Sequence, residues 1–83
     1  MCYVYILKSL KDNKLYIGST RNLEKRIKTH NAGKVRSTKS RTPFELIYSE
    51  KLEDYTEARK RENFLKTGSG RMWITENILY KNI

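Results

Sequence analysis

A carboxylate stands out in the C-terminal half of the chain because its neighbours are apolar. In the segment YTEARKRENFLK, one face of a predicted helix carries Tyr55, Ala58, Glu62 and Leu65 at positions i, i+3, i+7 and i+10. An unpaired carboxylate is costly to bury, so Glu62 must pair with a cation, bind a metal ion or face a cleft. A salt bridge to one of the chain's arginines is the purely structural alternative.

The first predicted helix places a cation in a similar position. Leu23, Arg26, Ile27 and His30 share a face, so Arg26 lies beside or within the packing stripe. Its long stem could simply cover apolar surface while the guanidinium reaches water. Judged alone, His30 at the end of this helix is typical of a hydrogen-bonding group at a helix C-terminus rather than of a ligand.

Two tyrosines and a glycine come together on paired strands. Alternation along CYVYIL and KLYIGS allows Tyr5 and Tyr16 to face the same side, and Gly18 leaves space in which another backbone or a ligand can approach closely. Strand tyrosines are usually packing residues. Together, however, one carboxylate, one arginine, two tyrosines and a glycine are the groups that phosphodiester cleavage with a single oxygen-bound metal ion such as Mg²⁺ requires.

The charge balance indicates a polyanionic partner. The chain has 83 residues with 18 Lys and Arg against 9 Asp and Glu, a formal net charge of +9. A basic run over residues 34–41 contains Lys34, Arg36, Lys39 and Arg41, and a second cluster covers residues 59–61. Both are predicted to follow a nucleic-acid backbone without reading sequence, and a solvated basic face is the alternative.

The remaining composition narrows the class of protein. With Cys2 as its one cysteine and His30 as its one histidine, the chain can form neither an internal disulfide nor a Cys/His zinc site. No apolar run approaches the roughly 20 residues of a membrane span, and Met1 leads directly into a strand-like segment. We therefore expect one domain over residues 1–83 that is cytoplasmic and binds no membrane, and the composition favours a monomer without determining the oligomeric state.

Hydrophobic periodicity and turn residues predict the elements that must position these groups. Strands are expected over residues 2–7, 14–19 and 44–49, and the continuous apolarity of the first predicts a central strand. Helices are expected over residues 22–31, 55–66 and 70–81, with Asn22, Asp54 and Ser69 as N-terminal caps. The fold class is α+β, in the order β-β-α-β-α-α, with a three-stranded antiparallel sheet flanked by helices.

The tyrosine motifs carry a family resemblance. The tripeptide YIG at residues 16–18, preceded by YVY at residues 3–5, resembles the signature of the GIY-YIG nuclease superfamily. The resemblance continues through GSTRNLEKRIKTHNAGK, TPFELIYSE and EARKRENFLKTGSGR, and is closest to the small single-domain bacterial branch. It implies the same β-β-α-β-α core and a site made by several elements.

The resemblance also implies a role for each matching residue. Tyr16 corresponds to the tyrosine that helps activate the attacking water, and Tyr5 to the tyrosine that ends the first motif. Arg26 corresponds to the arginine that stabilises the transition state, and Glu62 to the sole carboxylate ligand of the metal ion. His30 matches a position near the site that the family fills with His or Tyr.

Three other residues bear on this match. Glu57 is the competing carboxylate, but it lies about 140° from Glu62 around the helix, in the first turn, where capping explains it. Tyr3 stands where the first motif usually has glycine. An asparagine seen downstream in repair and homing members has no secure counterpart, since Asn77 falls too far along the chain.

The leading hypothesis is therefore an endonuclease that hydrolyses DNA with Mg²⁺ or Mn²⁺ and acts in DNA repair or recombination. Two alternatives come from other functional classes. The same fold could bind nucleic acid without catalysis, or the basic surface could dock an acidic protein partner.

Overall fold

The computed structural model describes residues 1–80 and has the predicted order of elements. The strands are β1 (Cys2–Ser9), β2 (Leu15–Thr20) and β3 (Phe44–Leu52), and the helices are α1 (Leu23–Asn31), α2 (Tyr55–Leu65) and α3 (Gly68–Ile74). A one-turn 3₁₀ helix, Lys39–Arg41, precedes β3, and a π-helical segment, Thr75–Leu79, continues α3. The predicted end of the last helix at residue 81 lies outside the described residues.

The three strands form one antiparallel sheet in the order β2-β1-β3. The apolar strand β1 is central, as its sequence predicted, and Val4, Ile6 and Leu7 are fully buried. In the β1–β2 pairing Tyr5 lies opposite Gly18, and Leu7 lies opposite Tyr16. This register brings the two motif tyrosines to the same side of the sheet.

Alternation along β1 creates two cores, one on each face of the sheet. Val4 and Ile6 pack on one face with Ala58 of α2, and Leu65 and Ile74 complete this core. Tyr5, Leu7 and Phe44 pack on the other face against Leu23 and Ile27 of α1. The sheet therefore lies between α1 on one side and α2 with α3 on the other.

Side-chain caps fix where the helices begin. The side chain of Asn22 accepts a hydrogen bond from the Lys25 amide, and that of Asp54 accepts one from the Glu57 amide, as predicted. The predicted cap Ser69 is wrong, because α3 begins two residues earlier than expected and Thr67 accepts the hydrogen bond from the Gly70 amide. The glycine-rich segment after α2 is therefore already the first turn of α3.

The two glycines of this turn have different surroundings. A Cβ atom at Gly70 would overlap the backbone carbonyl oxygen of Phe64 and lie 2.5 Å from the Cα of Leu65, whereas a Cβ at Gly68 would meet nothing within 4 Å. Gly70 is buried and Gly68 is exposed. Only Gly70 is thus needed for α3 to approach the end of α2 so closely.

We expect Gly70→Ala to lower the free energy of unfolding by about 3 kcal/mol or more, because backbone atoms block the added methyl group and α3 must shift. Gly68→Ala is the matched control and should leave the free energy within about 0.5 kcal/mol of the parent or raise it. Urea denaturation measures both. Equal stability of the two variants would contradict this account of the α2–α3 contact.

Candidate catalytic site

On the α1 side of the sheet, the hydroxyl of Tyr5 is hydrogen-bonded to two other candidate site residues. Tyr5 is 1% exposed, and its hydroxyl is hydrogen-bonded to Nε2 of His30 at 3.0 Å. Arg26 donates to the same oxygen from Nε at 3.4 Å. Because Tyr5 comes from β1 and the other two from α1, these bonds fix the position of the helix relative to the sheet.

Gly18 makes room for this hydroxyl. A Cβ atom at Gly18 would lie 2.5 Å from the Tyr5 hydroxyl oxygen and 3.1 Å from a ring carbon of Tyr16. The sequence led us to expect that the missing side chain leaves space for an approaching ligand. The structure corrects this interpretation, because Tyr5 already fills that space.

The imidazole ring of His30 packs against the rings of Tyr5 and Tyr16. Its side chain is fully buried, its Nδ1 is hydrogen-bonded to Thr38 Oγ1 at 2.8 Å, and its ring centroid lies 4.9 Å from that of Tyr16. His30 is thus a hydrogen-bonding group at the end of α1, as its position indicated, and both ring nitrogens bond to side chains of other segments. Thr38 is a site residue that the sequence did not reveal, because it lies inside a run of exposed basic residues.

Burial determines the protonation of this cluster. The pKa of His30 is lowered from 6.5 to about 4, first by burial and then by the positive charge of Arg26, so the imidazole is neutral at pH 7. Burial also raises the pKa of Tyr5, and this effect exceeds the opposing hydrogen bond from Arg26. Tyr5 is consequently a neutral phenol that no phosphate can reach without a rearrangement.

These protonation states assign the direction of each hydrogen bond. A neutral imidazole has one donor and one acceptor nitrogen. Thr38 donates to the Val35 carbonyl oxygen at 3.4 Å, so its Oγ1 accepts from Nδ1–H of His30. Nε2 is then the acceptor nitrogen, and the Tyr5 hydroxyl donates to it while accepting from Arg26. The chain of donors and acceptors is complete from Arg26 to the backbone.

Arg26 is the charged group at the open end of this chain. Its side chain is half-buried, and contact with Tyr5, with a further contribution from Tyr16, raises its pKa. Nε donates to Tyr5, and a weaker hydrogen-bonding contact with Tyr16 also helps to raise the pKa of Arg26. A guanidinium has five N–H donors, so the two tyrosines hold it in place and leave donors for an incoming anion.

Glu62 lies on the α2 side of the sheet, beside the edge strand β2. One carboxylate oxygen accepts a hydrogen bond from Ser19 Oγ and the other from Lys66 Nζ, each at 2.6 Å. Burial raises the pKa of Glu62, but the hydrogen bonds from Lys66 and Ser19 outweigh it and hold the pKa below its ordinary value. The cation that pairs with this carboxylate is thus a lysine, and not an arginine as the structural alternative supposed.

Strand β2 joins the two halves of the site. Gly18 and Ser19 are consecutive and point to opposite faces, so Gly18 contacts Tyr5 while Ser19 contacts Glu62. The negative charge of Glu62 reaches Tyr5 and contributes to its raised pKa. Within residues 1–80 no hydrogen bond joins Glu62 to either tyrosine or to Arg26.

The oxygen donors of the site fit a metal ion that takes one carboxylate ligand from the protein. Residues 1–80 contain no group of three or more His, Cys, Asp or Glu side chains that could hold a metal. Glu62, with the Ser19 hydroxyl beside it, offers the oxygen donors that Mg²⁺ prefers, while water and substrate complete its shell. Lys66 would have to leave the second oxygen. Glu57 is exposed and pairs with Lys60 at 3.7 Å on another face of α2.

The basic residues predicted to follow nucleic acid fall into two groups. Lys34, Arg36 and Lys39 are exposed as expected. Arg41 differs from them, because it is half-buried, its Nε pairs with Asp12 at 3.1 Å and its guanidinium lies over the Phe44 ring.

In the second basic cluster, one arginine likewise has a partner within the fold. Arg61 pairs with Glu50 at 2.9 Å and stacks on Trp73, with its guanidinium carbon 4.5 Å from the ring centroid. Arg59 and Lys60 are exposed. The cluster at residues 59–61 is therefore not a uniform solvated face.

Comparison with known proteins identifies the family of the chain. The sequence model of the GIY-YIG catalytic domain matches residues 1–76. The chain belongs to the GIY-YIG family. The resemblance inferred from the two tyrosine motifs is confirmed, and so is the α+β fold that it implied.

Small bacterial members of the GIY-YIG family are similar over most of their length. A UPF0213 protein of Staphylococcus haemolyticus is 53% identical over 68 residues, which cover 81% of this chain and 82% of that protein. A UPF0213 protein of Clostridium perfringens is 52% identical over 67 residues, covering 80% and 71%. The UPF0213 protein YazA of Bacillus subtilis is 45% identical over 65 residues, covering 77% and 65%.

Membership of the GIY-YIG family indicates the general class of function. The GIY-YIG domain is a nuclease-family domain that implies nucleic-acid binding, and its nucleases generally use divalent metal ions. Within residues 1–80, none of the helices combines the length and the hydropathy needed to cross a membrane.

The buried neutral histidine predicts a pH-dependent stability. Its folded pKa lies below its unfolded one, so protonation favours the unfolded chain, and stability falls as pH drops through the range between about 6.5 and 4. Between about pH 7.5 and pH 5, we expect the free energy of unfolding to fall by about 2 kcal/mol.

The control is His30→Gln, which keeps one donor and one acceptor but does not titrate. Urea denaturation of this variant should show only a small part of the pH dependence of the parent. A parent whose stability is constant over this range, or a His30→Gln variant that retains the full change, would contradict the assignment of a neutral buried imidazole.

Proposed function

We propose that this GIY-YIG protein is an endonuclease that hydrolyses phosphodiester bonds in DNA and depends on a divalent metal ion, Mg²⁺ or Mn²⁺. The observation that carries the proposal is the fixed guanidinium of Arg26, anchored through Nε to the buried Tyr5 hydroxyl and through it to His30. An arginine held in this way presents its remaining donors in a fixed direction, which stabilisation of a transition-state charge requires.

Arg26 has the role of stabilising the charge that builds on the phosphate. Its remaining guanidinium donors can bind the phosphate oxygens, and a partly buried position strengthens that interaction. Tyr5 and His30 are buried and act through Arg26 and Tyr16, so they are positioning residues. The prediction from sequence placed Tyr5 and His30 in the catalytic group with Tyr16, Arg26 and Glu62, so this proposal narrows the role of these two residues.

Tyr16 is the tyrosine that can meet the attacking water. It is half-buried and lines an open groove, while its ring packs on His30 with centroids 4.9 Å apart and lies 6.3 Å from the ring of Tyr5. These contacts orient the ring, and the exposed side of Tyr16 can orient a water molecule and help to deprotonate it.

Glu62 has the role of metal ligand. A bound Mg²⁺ or Mn²⁺ would polarise the phosphate and stabilise the leaving oxygen. Glu62 supplies an ionised carboxylate at neutral pH, since Lys66 and Ser19 hold its pKa below the ordinary value. Ser19 orients the carboxylate by donating to one of its oxygens.

A specific observation supports a second candidate function, a nucleic-acid-binding protein without catalysis. Both oxygens of Glu62 already accept hydrogen bonds, and Lys66 neutralises its charge. If this pairing persists on DNA, no metal ion binds. This candidate predicts salt-dependent DNA binding without metal-dependent cleavage. The biological role in DNA repair or recombination stays a prediction in either case.

The metal-ligand role is tested with Glu62→Gln, which keeps the shape of the side chain but removes its charge. We expect cleavage of supercoiled, branched and single-stranded DNA with Mg²⁺ or Mn²⁺ to fall by at least about a hundredfold, because a neutral amide binds these ions poorly. Glu57→Gln, an exposed carboxylate of the same helix, is the matched control and should cleave like the parent. If the parent cuts none of these substrates, or cuts them in EDTA, the proposal fails.

The transition-state role is tested with Arg26→Gln. Loss of the positive charge should lower the cleavage rate by about 10²–10³-fold while DNA binding changes much less, because the charge is needed most in the transition state. Arg21→Gln removes an exposed arginine just before the same helix and serves as the control. Rates measured at saturating DNA separate the two effects, and an Arg26→Gln enzyme as fast as the parent would refute the assignment.

A further inference from the structure

A groove runs along the open edge of the sheet, between β2 and α3. Its volume is about 820 Å³, and its walls come from the turn before β2, from β2 itself, from the end of α2 and from α3 with the π-helical segment. In the strand order β2-β1-β3, β2 has a neighbour on one side only, so the groove follows an unpaired strand edge.

The groove is lined by cations and by no acidic residue. Lys14, Arg41, Lys66 and Arg71 contribute to its walls, and neither Asp nor Glu does. Arg41 and Lys66 have acidic partners at 3.1 and 2.6 Å. The side chains of Lys14 and Arg71 have no hydrogen bond or ion pair with any residue among the 80 that the structure describes, so two cations at opposite walls are free to bind an anion.

Apolar side chains also line the groove. Leu15 and Ile17 of β2 are half-buried and pack on the core that contains Ile74, and Leu79 is 40% exposed. A polynucleotide strand has the matching chemistry, with phosphates for the cations and base and sugar surfaces for the apolar positions. An acidic peptide matches the cations alone.

The groove is continuous with the candidate catalytic site. Tyr16 lines it and at the same time packs on His30. Lys66 also lines it and is the partner of Glu62. A strand in the groove therefore leads directly to both halves of the site.

We propose that this groove binds the DNA strand next to the scissile phosphate, and that Arg71 and Lys14 bind its phosphates. The inference rests on the proposed function for the identity of the ligand. The sequence assigned backbone binding to residues 34–41 and 59–61, and neither Lys14 nor Arg71 belongs to those runs. Their role follows from α3 lying opposite the start of β2.

The test is DNA binding by fluorescence anisotropy in EDTA, with a short labelled duplex and its single strand as probes. The double variant Lys14→Gln/Arg71→Gln should raise the Kd at least about tenfold. The plot of the logarithm of the association constant against the logarithm of the salt concentration should become less steep by about 1.4 to 1.8, the value for two lost phosphate contacts. Lys25→Gln/Lys51→Gln removes two exposed charges elsewhere and should change the Kd much less. Lys14→Arg/Arg71→Lys should keep most of the affinity.

The outcomes separate this inference from the proposed function. EDTA prevents metal-dependent cleavage, so this assay measures binding alone. A protein that binds DNA through the groove but never cuts it with metal present supports the role of the groove and refutes the endonuclease proposal. A protein that cuts DNA while the groove variant binds like the parent, or no worse than the control variant, refutes the groove alone. Binding of poly-glutamate but not of DNA would refute both.

Discussion

The hydrogen bond between Tyr5 and His30 connects the central strand to the first helix, and the position of Arg26 depends on it. Tyr5 reaches His30 because Gly18, opposite it on β2, has no side chain. His30 is held from the other side by Thr38. With the helix fixed in this way, Arg26 one turn earlier lies against the same hydroxyl. This bond therefore contributes to the docking of α1, together with the packing of Leu23 and Ile27, and it directs the arginine.

The carboxylate half of the site obeys a different constraint, the cost of burying a charge. Glu62 is only 14% exposed, and an unpaired carboxylate there would destabilise the fold by several kcal/mol. Lys66, one turn further along α2, provides the compensating charge. The same pairing competes with any metal ion for the carboxylate, so stability without metal and affinity for metal are opposed at this residue. An exposed partner such as Lys66 can move away at lower cost than a buried one.

Local patterns predicted the features that local chemistry decides. The hairpin, the caps Asn22 and Asp54, and the common face of Tyr5 and Tyr16 follow from turn residues, hydrogen-bonding side chains and the period of a strand. The partners of the polar side chains are a different matter, because Thr38 meets His30 and Lys66 meets Glu62 through packing that no short window of sequence describes. The family resemblance indicated which residues belong together but not which of them are buried.

The net charge of +9 likewise does not show which cations are available to bind a partner. Composition counts every cation equally, whereas the fold neutralises some of them. Arg41 and Arg61 have acidic partners and lie over aromatic rings, so part of the charge and hydrogen-bonding capacity of each guanidinium is already used within the fold. Lys14 and Arg71 are far apart in sequence and form no basic run, yet they line one groove. The surface that attracts a polyanion is therefore decided by which cations the fold leaves without a partner, and this depends on tertiary contacts and not on the density of charge along the chain.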